Sequence, residues 1–134
     1  MSNAAERLDP DRLIEQACEL ADSDDFGDDD GWRENLTRLV DDLVAEADLS
    51  PIGVEVAAAD VIMPLRNRLQ ITHWRKANPA VAGQRIERPI VIIGQPRTGT
   101  TILYDLLAQD PALRAPLTWE VDHPYPVPQP DTYY

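Results

Sequence analysis

Apolar residues recur at helical spacing through the first half of the chain, with polar residues between them. The spacing predicts amphipathic helices that bury one face in a core. A charge at Leu39 or Leu43 is therefore expected to unfold the segment, because it would be buried without a partner. The clearest stripe comprises Trp32, Leu36, Leu39, Val40, Leu43, Val44 and Ala47. An earlier, shorter stripe comprises Leu13, Ile14, Ala17, Leu20 and Ala21.

Capping residues predict where these helices begin and end. Asp9-Pro10 and Ser50-Pro51 each place a capping side chain before a proline at the first helical position. The helix that opens at Ser50-Pro51 is predicted to run toward Lys76, and Asn78-Pro79 should end it. Pro64 lies inside this helix and is expected to kink or split it, because proline removes a backbone donor and clashes with the preceding turn.

The segment from Asp22 to Gly31 is rich in aspartate and shows no apolar period. It matches a calcium-binding loop only in part, since Phe26 stands at the third ligand position and Arg33 at the closing glutamate. We therefore interpret it as a solvated linker without a metal site.

A β-branched run at Pro89–Ile93 predicts a strand buried on both faces, as in a parallel sheet. A glycine- and proline-containing loop follows it, and then a helix from about Gly99 to Gln109. Asp110-Pro111 should end that helix. The five prolines between positions 116 and 130 predict an extended, polyproline-like tail.

The loop after the strand has the composition of an anion cradle. A helix N-terminus offers unpaired N–H groups and a positive dipole end, and the glycines allow the backbone to approach an anion. Gly94 and Gly99 have the spacing of the nucleoside triphosphatase loop G-x-x-x-x-G-K-[ST], but Thr100 stands where that loop has its lysine. The substitution argues against ATP or GTP chemistry and leaves Arg97 as the cation of the loop.

Residues 94–101, which read G-Q-P-R-T-G-T-T, resemble the 5′-phosphosulfate-binding loop of sulfotransferases that use 3′-phosphoadenosine 5′-phosphosulfate (PAPS). The residues that follow are similar to the bacterial branch of that family. They comprise Leu106-Leu107-Ala108-Gln109-Asp110-Pro111, then 114–117, Trp119-Glu120 and the later prolines. The resemblance covers about residues 88–134. It implies an α/β fold with a P-loop-like strand–loop–helix unit and transfer of a sulfuryl group from PAPS to a hydroxyl or amine.

The resemblance also implies roles for individual residues. Arg97 would neutralise the leaving nucleotide electrostatically, because arginine does not readily release a proton. Glu120 is the first candidate for the base that deprotonates the acceptor, with His123 second. The alternative for Glu120 is a structural carboxylate that holds Arg114 or a backbone amide. The expected donor-binding residues are Gly94, Pro96, Arg97, Thr98, Gly99, Thr100 and Thr101.

Charge is distributed unevenly along the chain. Residues 1–60 carry 18 acidic and four basic residues, whereas residues 61–134 carry six and eight. The acidic lead-in disfavours nucleic acid and anionic membrane as partners. The resemblance to sulfotransferases implies a small-molecule acceptor. The chain has one cysteine, Cys18, expected as a small core residue, and no signal-peptide pattern or membrane-length apolar run. These features predict a cytoplasmic protein.

The layout predicts two parts: an acidic helical lead-in over residues 1–83, and the start of a P-loop-like domain over 84–134. A single strand has no ladder partners, so an incomplete parallel sheet is expected, and the chain would then be an N-terminal segment that is inactive alone. An unpaired half-sheet should also form homo-oligomers or aggregate. Two alternatives stay open: a kinase-like nucleotide-binding protein, and a non-catalytic helical interaction module with a vestigial loop.

Overall fold

The computed structural model describes residues 2–127. Within this range the elements are helical, and no β-strand occurs. A 3₁₀ helix, Pro79–Gly83, follows the fourth α-helix. The α-helices are α1 (Ser2–Arg7), α2 (Pro10–Ala21), α3 (Gly31–Glu46), α4 (Pro51–Ala77), α5 (Thr100–Leu107) and α6 (Thr118–Asp122).

Side-chain caps fix the starts of α2 and α4, as the sequence predicts. An Asp9 carboxylate oxygen accepts a hydrogen bond from the Arg12 amide at 3.0 Å, and Ser50 Oγ accepts from the Gly53 amide at 3.2 Å. Each cap satisfies an N–H group that the first helical turn leaves without a partner. In both helices a proline follows the cap directly.

The hydrophobic core of the described residues lies between Leu8 and Leu69. Helix α4 is its centre and packs mainly against α2 and α1. Cys18 is partly buried against this core, which confirms the sequence expectation. The buried side chains are Leu8, Leu13, Ala17, Phe26, Leu36, Val40, Val54, Ala58, Val61, Ile62, Leu65 and Leu69.

Helix α3 buries a narrower face than its apolar pattern predicts. Leu36 and Val40 are buried, and Trp32 and Leu43 pack partly against the core. Leu39, in contrast, is 49% exposed. The expectation that a charge at Leu39 unfolds the segment is therefore wrong, because α3 meets its neighbours along one row of side chains only.

The acidic segment 22–30 is attached to the core rather than freely solvated, which corrects the linker interpretation. Phe26 is buried and stacks on Trp32 with ring centroids 4.3 Å apart. The Arg68 guanidinium donates to the main-chain oxygens of Phe26 and Asp29, both at 2.8 Å. Asp25 forms an ion pair with Lys76.

Pro64 does not split α4, which continues from Pro51 to Ala77. The neighbouring residues Ile62 and Leu65 are buried against the core, and Met63 is half-exposed. Tertiary packing therefore holds the helix together across a residue that removes one internal hydrogen bond. The predicted split at Pro64 is wrong, and the predicted kink stays a prediction.

Residues 89–93, the predicted strand, have no regular secondary structure and no ladder hydrogen bonds in the part of the chain that the structure describes. Three of its apolar side chains are exposed, and Ile93 reaches 90%. An extended run becomes a strand only when a neighbour pairs with it, and no described segment does so. The sheet therefore stays a prediction, as does the division at residue 83. No described helix combines the length and apolarity needed to cross a membrane.

Candidate functional site

The loop between the extended segment and α5 folds tightly back on its first glycine. A Cβ at Gly94 would lie 2.7 Å from Thr100 Cγ2 and 3.0 Å from Thr98 Oγ1, closer than side chains allow. Thr98 Oγ1 donates to the Gln95 carbonyl at 2.6 Å. The loop thus brings the side chains of Thr98 and Thr100 close to Gly94.

Two residues of the loop adopt left-handed backbone conformations. Gly99 has φ +90° and forms the N-cap of α5, where glycine carries no steric cost. Arg97 has φ +65°. A left-handed arginine is uncommon and costs about 1 kcal/mol or more, and such conformations concentrate at ligand-binding loops.

Helix α5 begins with unused backbone donors. Its N-cap has no side-chain hydrogen bond, and its first internal hydrogen bond runs from the Leu103 amide to the Gly99 carbonyl at 3.1 Å. The amides of Thr100, Thr101 and Ile102 precede that bond and have no partner within the helix. They form the N–H array that an anion at a helix N-terminus requires.

The Arg97 side chain is exposed and forms no ion pair or hydrogen bond within residues 2–127. Its guanidinium is therefore a cation that the described part of the chain does not neutralise. Thr98 differs, since its hydroxyl hydrogen is already donated to Gln95 inside the loop. Among the predicted donor-binding hydroxyls, those of Thr100 and Thr101 remain available to donate.

Helix α5 connects the loop to the segment that contains Glu120. The Tyr104 hydroxyl donates to the Pro116 carbonyl. A cavity of about 410 Å³ is lined by segment 86–92, α5 and residues 112–116. Helix α5, which begins at the loop, thus contacts the segment that leads to Glu120.

Both carboxylate oxygens of Glu120 are engaged. Oε1 accepts from Arg114 Nη2 at 2.5 Å, and Oε2 accepts from the Leu117 amide at 2.7 Å. The second contact is the return half of a capping box, in which the third helical residue binds the N-cap amide of α6. These are the contacts of the structural alternative for Glu120. Each oxygen retains a second lone pair, so its role as base stays a prediction.

His123 follows α6 directly and is exposed, and its amide donates to the Trp119 carbonyl at 2.9 Å. Helix α6 itself was missed by sequence reasoning, which predicted an extended tail from residue 116. The tail beyond residue 127 lies outside the described residues. Asn67 was missed as well: its Nδ2 donates to the Asp122 carbonyl at 2.9 Å. Nothing in the sequence near Asn67 signals that contact.

A larger cleft of about 940 Å³ lies between α4, the acidic segment and α6. Phe26, Trp32 and Ile71 contribute apolar and aromatic surface, and Val121 and Pro124 close one side. Basic side chains border the cleft as well, including Arg75. The cleft is thus shared between the helical lead-in and the residues that directly follow Glu120. No group of His, Cys, Asp or Glu with metal-binding geometry occurs among the described residues.

A tight glycine loop that leads an extended apolar segment into a helix N-terminus defines a class of anion-binding unit shared by nucleotide-binding α/β proteins. Within that class, residues 89–131 match the model of the Sulfotransferase family. The chain also matches the crystal structure of sulfotransferase STF9 from Mycobacterium avium, with a TM-score of 0.74 and 35% sequence identity over 87% of the chain. A search of curated proteins found no match.

These two findings support a sulfotransferase family assignment and confirm the resemblance stated from the sequence. The structural match supports a sulfotransferase fold of the α/β class, and the sheet of that fold stays a prediction. The chain spans 29% of the length of the Mycobacterium avium protein.

Proposed function

We propose that the chain supplies the donor-binding loop of a sulfotransferase that moves a sulfuryl group from PAPS to a hydroxyl or amine acceptor. The observation that carries the proposal is the start of α5, where the amides of Thr100, Thr101 and Ile102 have no partner among residues 2–127, together with an Arg97 that no described residue neutralises. A 5′-phosphosulfate fits such an array because its oxygens accept hydrogen bonds and its charge favours the helix N-terminus.

In the transfer, the acceptor oxygen or nitrogen forms a bond to sulfur as the bond from sulfur to the bridging oxygen of PAPS breaks. Negative charge then grows on the departing phosphate. Arg97 would stabilise that charge through its permanently cationic, planar guanidinium, and the amides of α5 would hold the phosphate in place. Gly99, which lies between Arg97 and α5, has a left-handed backbone conformation that glycine adopts without a steric cost.

The acceptor proton needs a base, and Glu120 is the proposed one. Arg114 and the Leu117 amide orient its carboxylate, and each oxygen keeps a lone pair that could receive the proton. His123 remains the second candidate, being exposed and three residues further on. The proposed acceptor is a small molecule.

We further propose that strands outside these 134 residues pair with segment 89–93. The exposed apolar side chains of Ile90, Val91 and Ile93, and those of Ile102 and Leu106 on α5, support this proposal. Their burial against additional sheet and helix would complete a sulfotransferase domain. Turnover by the 134-residue chain alone would contradict it.

A second candidate function is a helical interaction module. It is favoured by the position of the core, since the buried side chains lie between Leu8 and Leu69 and the later segment has none in the described residues. A chain truncated after Gly83 should then melt at the same temperature as the 134-residue chain and bind any partner that the 134-residue chain binds. If the truncated chain folds but binds no partner, the sulfotransferase proposal is the better one.

The proposed function is tested by titrating the chain with adenosine 3′,5′-bisphosphate while its backbone amides are followed by NMR. We expect shifts at Gly99, Thr100 and Thr101, and weaker binding by about 1.5–3 kcal/mol in Arg97→Ala, as for a hydrogen bond to a charged group. Arg97→Lys should retain part of the affinity because it keeps the charge. Equal affinity in wild type and Arg97→Ala would remove Arg97 from the site. Tight competition by ATP would favour the kinase-like alternative.

A further inference from the structure

A long-range hydrogen bond links the helical lead-in to the segment that contains Glu120. The side-chain amide of Asn67, on α4, donates to the main-chain oxygen of Asp122 at 2.9 Å across 55 residues of sequence. Asp122 is the last residue of α6 and lies between Glu120 and His123. The bond is partly buried, so solvent competes with it less than with a surface contact.

Helix α6 needs contacts from outside because it is only five residues long. A single helical turn in isolation is unstable, since it fixes several backbone angles for very few hydrogen bonds. Its two ends are held by side chains: Glu120 binds the Leu117 amide at the start, and Asn67 binds the Asp122 carbonyl at the end. That carbonyl belongs to the last turn, where helices lack internal donors.

Asn67 is a fixed donor because α4 is anchored on both sides of it. Leu65 and Leu69 are buried in the core. The adjacent Arg68 binds the carbonyls of Phe26 and Asp29 and so holds the acidic segment to the same stretch of α4. Val121 and Pro124 then face this stretch across the 940 Å³ cleft.

The contacts made by the Glu120 carboxylate all lie within its own segment, at Arg114 and Leu117. They orient the carboxylate relative to that segment but not relative to the helical lead-in. We propose that Asn67 is a positioning residue for Glu120, so that the lead-in helices set where the base stands beside the cleft. The inference rests on the proposed function.

The tether is tested first in the 134-residue chain by amide hydrogen exchange. In Asn67→Ala we expect the amides of Val121 and His123 to exchange about 2- to 10-fold faster, the range that corresponds to one hydrogen bond. Asn67→Asp is nearly isosteric but places a carboxylate against the carbonyl, so its effect should be at least as large. Asn67→Gln keeps the donor and should recover part of the protection.

Asn35→Ala is the matched control, because Asn35 is exposed on α3. It should leave the exchange of α6 unchanged. The melting temperature of the core should be nearly the same in all these variants, since Asn67 contributes no buried apolar surface. Unchanged exchange at Val121 and His123 in both Asn67→Ala and Asn67→Asp would overturn the tether.

The positioning role is tested in an extended protein that turns over PAPS. Asn67→Ala should lower kcat by about 10-fold or more and leave the affinity for adenosine 3′,5′-bisphosphate unchanged, because a small misplacement of a base mainly slows the chemical step. In the Glu120→Gln background, Asn67→Ala should cause little further loss, since it acts through Glu120. Additive losses, or normal turnover by Glu120→Gln, would overturn the role. Absence of nucleotide binding would instead defeat the proposed function and leave the exchange result standing.

Discussion

Gly94 offers the sharpest test of the loop, because the structure shows what a single added methyl group would meet. The Cβ of Gly94→Ala would lie 2.7 Å from Thr100 Cγ2 and 3.0 Å from Thr98 Oγ1. Neither neighbour can move freely. Threonine is β-branched and stiff about χ1, and the Thr98 hydroxyl is bound to the Gln95 carbonyl.

The cost of this clash should appear in anion binding. Overpacking a closed site costs about 1–3 kcal/mol. The strain falls on Thr100, the first residue of α5, whose amide belongs to the proposed anion site. If the strain destabilises the anion-bound conformation by this free energy, the affinity for adenosine 3′,5′-bisphosphate should fall about 5- to 150-fold. Backbone NMR titration of Gly94→Ala against wild type measures this change.

Two further variants separate the clash from other effects of adding a methyl group. Thr100→Ser removes Cγ2 and keeps the hydroxyl, so Gly94→Ala combined with Thr100→Ser should recover much of the affinity. Gly83→Ala is the neutral control, because a Cβ at Gly83 meets no atom within 4 Å and its φ is not left-handed. Wild-type affinity in Gly94→Ala, or no recovery in the double variant, would refute the reasoning.

Three other predictions concern the core, the surface charges and the proposed base. Val40→Asp should abolish cooperative thermal unfolding because Val40 is buried, whereas Leu39→Asp should change the melting temperature little. Thermal melts followed by circular dichroism compare the two variants. The hydrogen bond to Lys76 lowers the pKa of Asp25, and the same bond raises the pKa of Lys76. The stability that this ion pair contributes should be lost as pH falls through the lowered Asp25 pKa, and again as pH rises through the raised Lys76 pKa. Lys76→Met should therefore melt at a lower temperature than wild type at neutral pH, and at the same temperature in strong acid. In an extended protein with turnover, Glu120→Gln should reduce kcat by about 10²–10⁴ with nucleotide binding intact, and His123→Ala much less; the reverse result would make His123 the base.

The sequence predicted the helix starts well because capping is local. Asp9 and Ser50 bind amides three residues away, and a proline beside each cap restricts the backbone in the same direction. The glycine loop was also predictable from local requirements. Gly94 and Gly99 are needed for different reasons, a close approach and a left-handed angle, and both reasons act within a few residues.

The errors arise where distant partners decide the outcome. Leu39 and Val40 are both apolar in sequence, but only the packing of α3 against the other helices determines that Val40 is the one buried. Pro64 would break an isolated helix, yet α4 continues through it because the buried residues beside it fasten both halves to the core. Asn67 has no sequence signal at all, since its partner lies 55 residues away on a helix that sequence reasoning did not predict.

The extended segment 89–93 shows the same dependence in its strongest form. Its β-branched composition fits a strand buried on both faces, but a strand is defined by the hydrogen bonds of its neighbours. Without such neighbours its apolar side chains stay exposed, as do Ile102 and Leu106 on the helix that follows.

An exposed apolar surface of this kind favours association, and a rise in apparent mass with concentration in sedimentation would be its signature. Ile93→Lys should suppress that rise without changing the melting of the helical core, because Ile93 lies outside the core. If the mass stays that of a monomer at all concentrations, the exposed segment does not drive association, and its apolar side chains do not require a pairing partner.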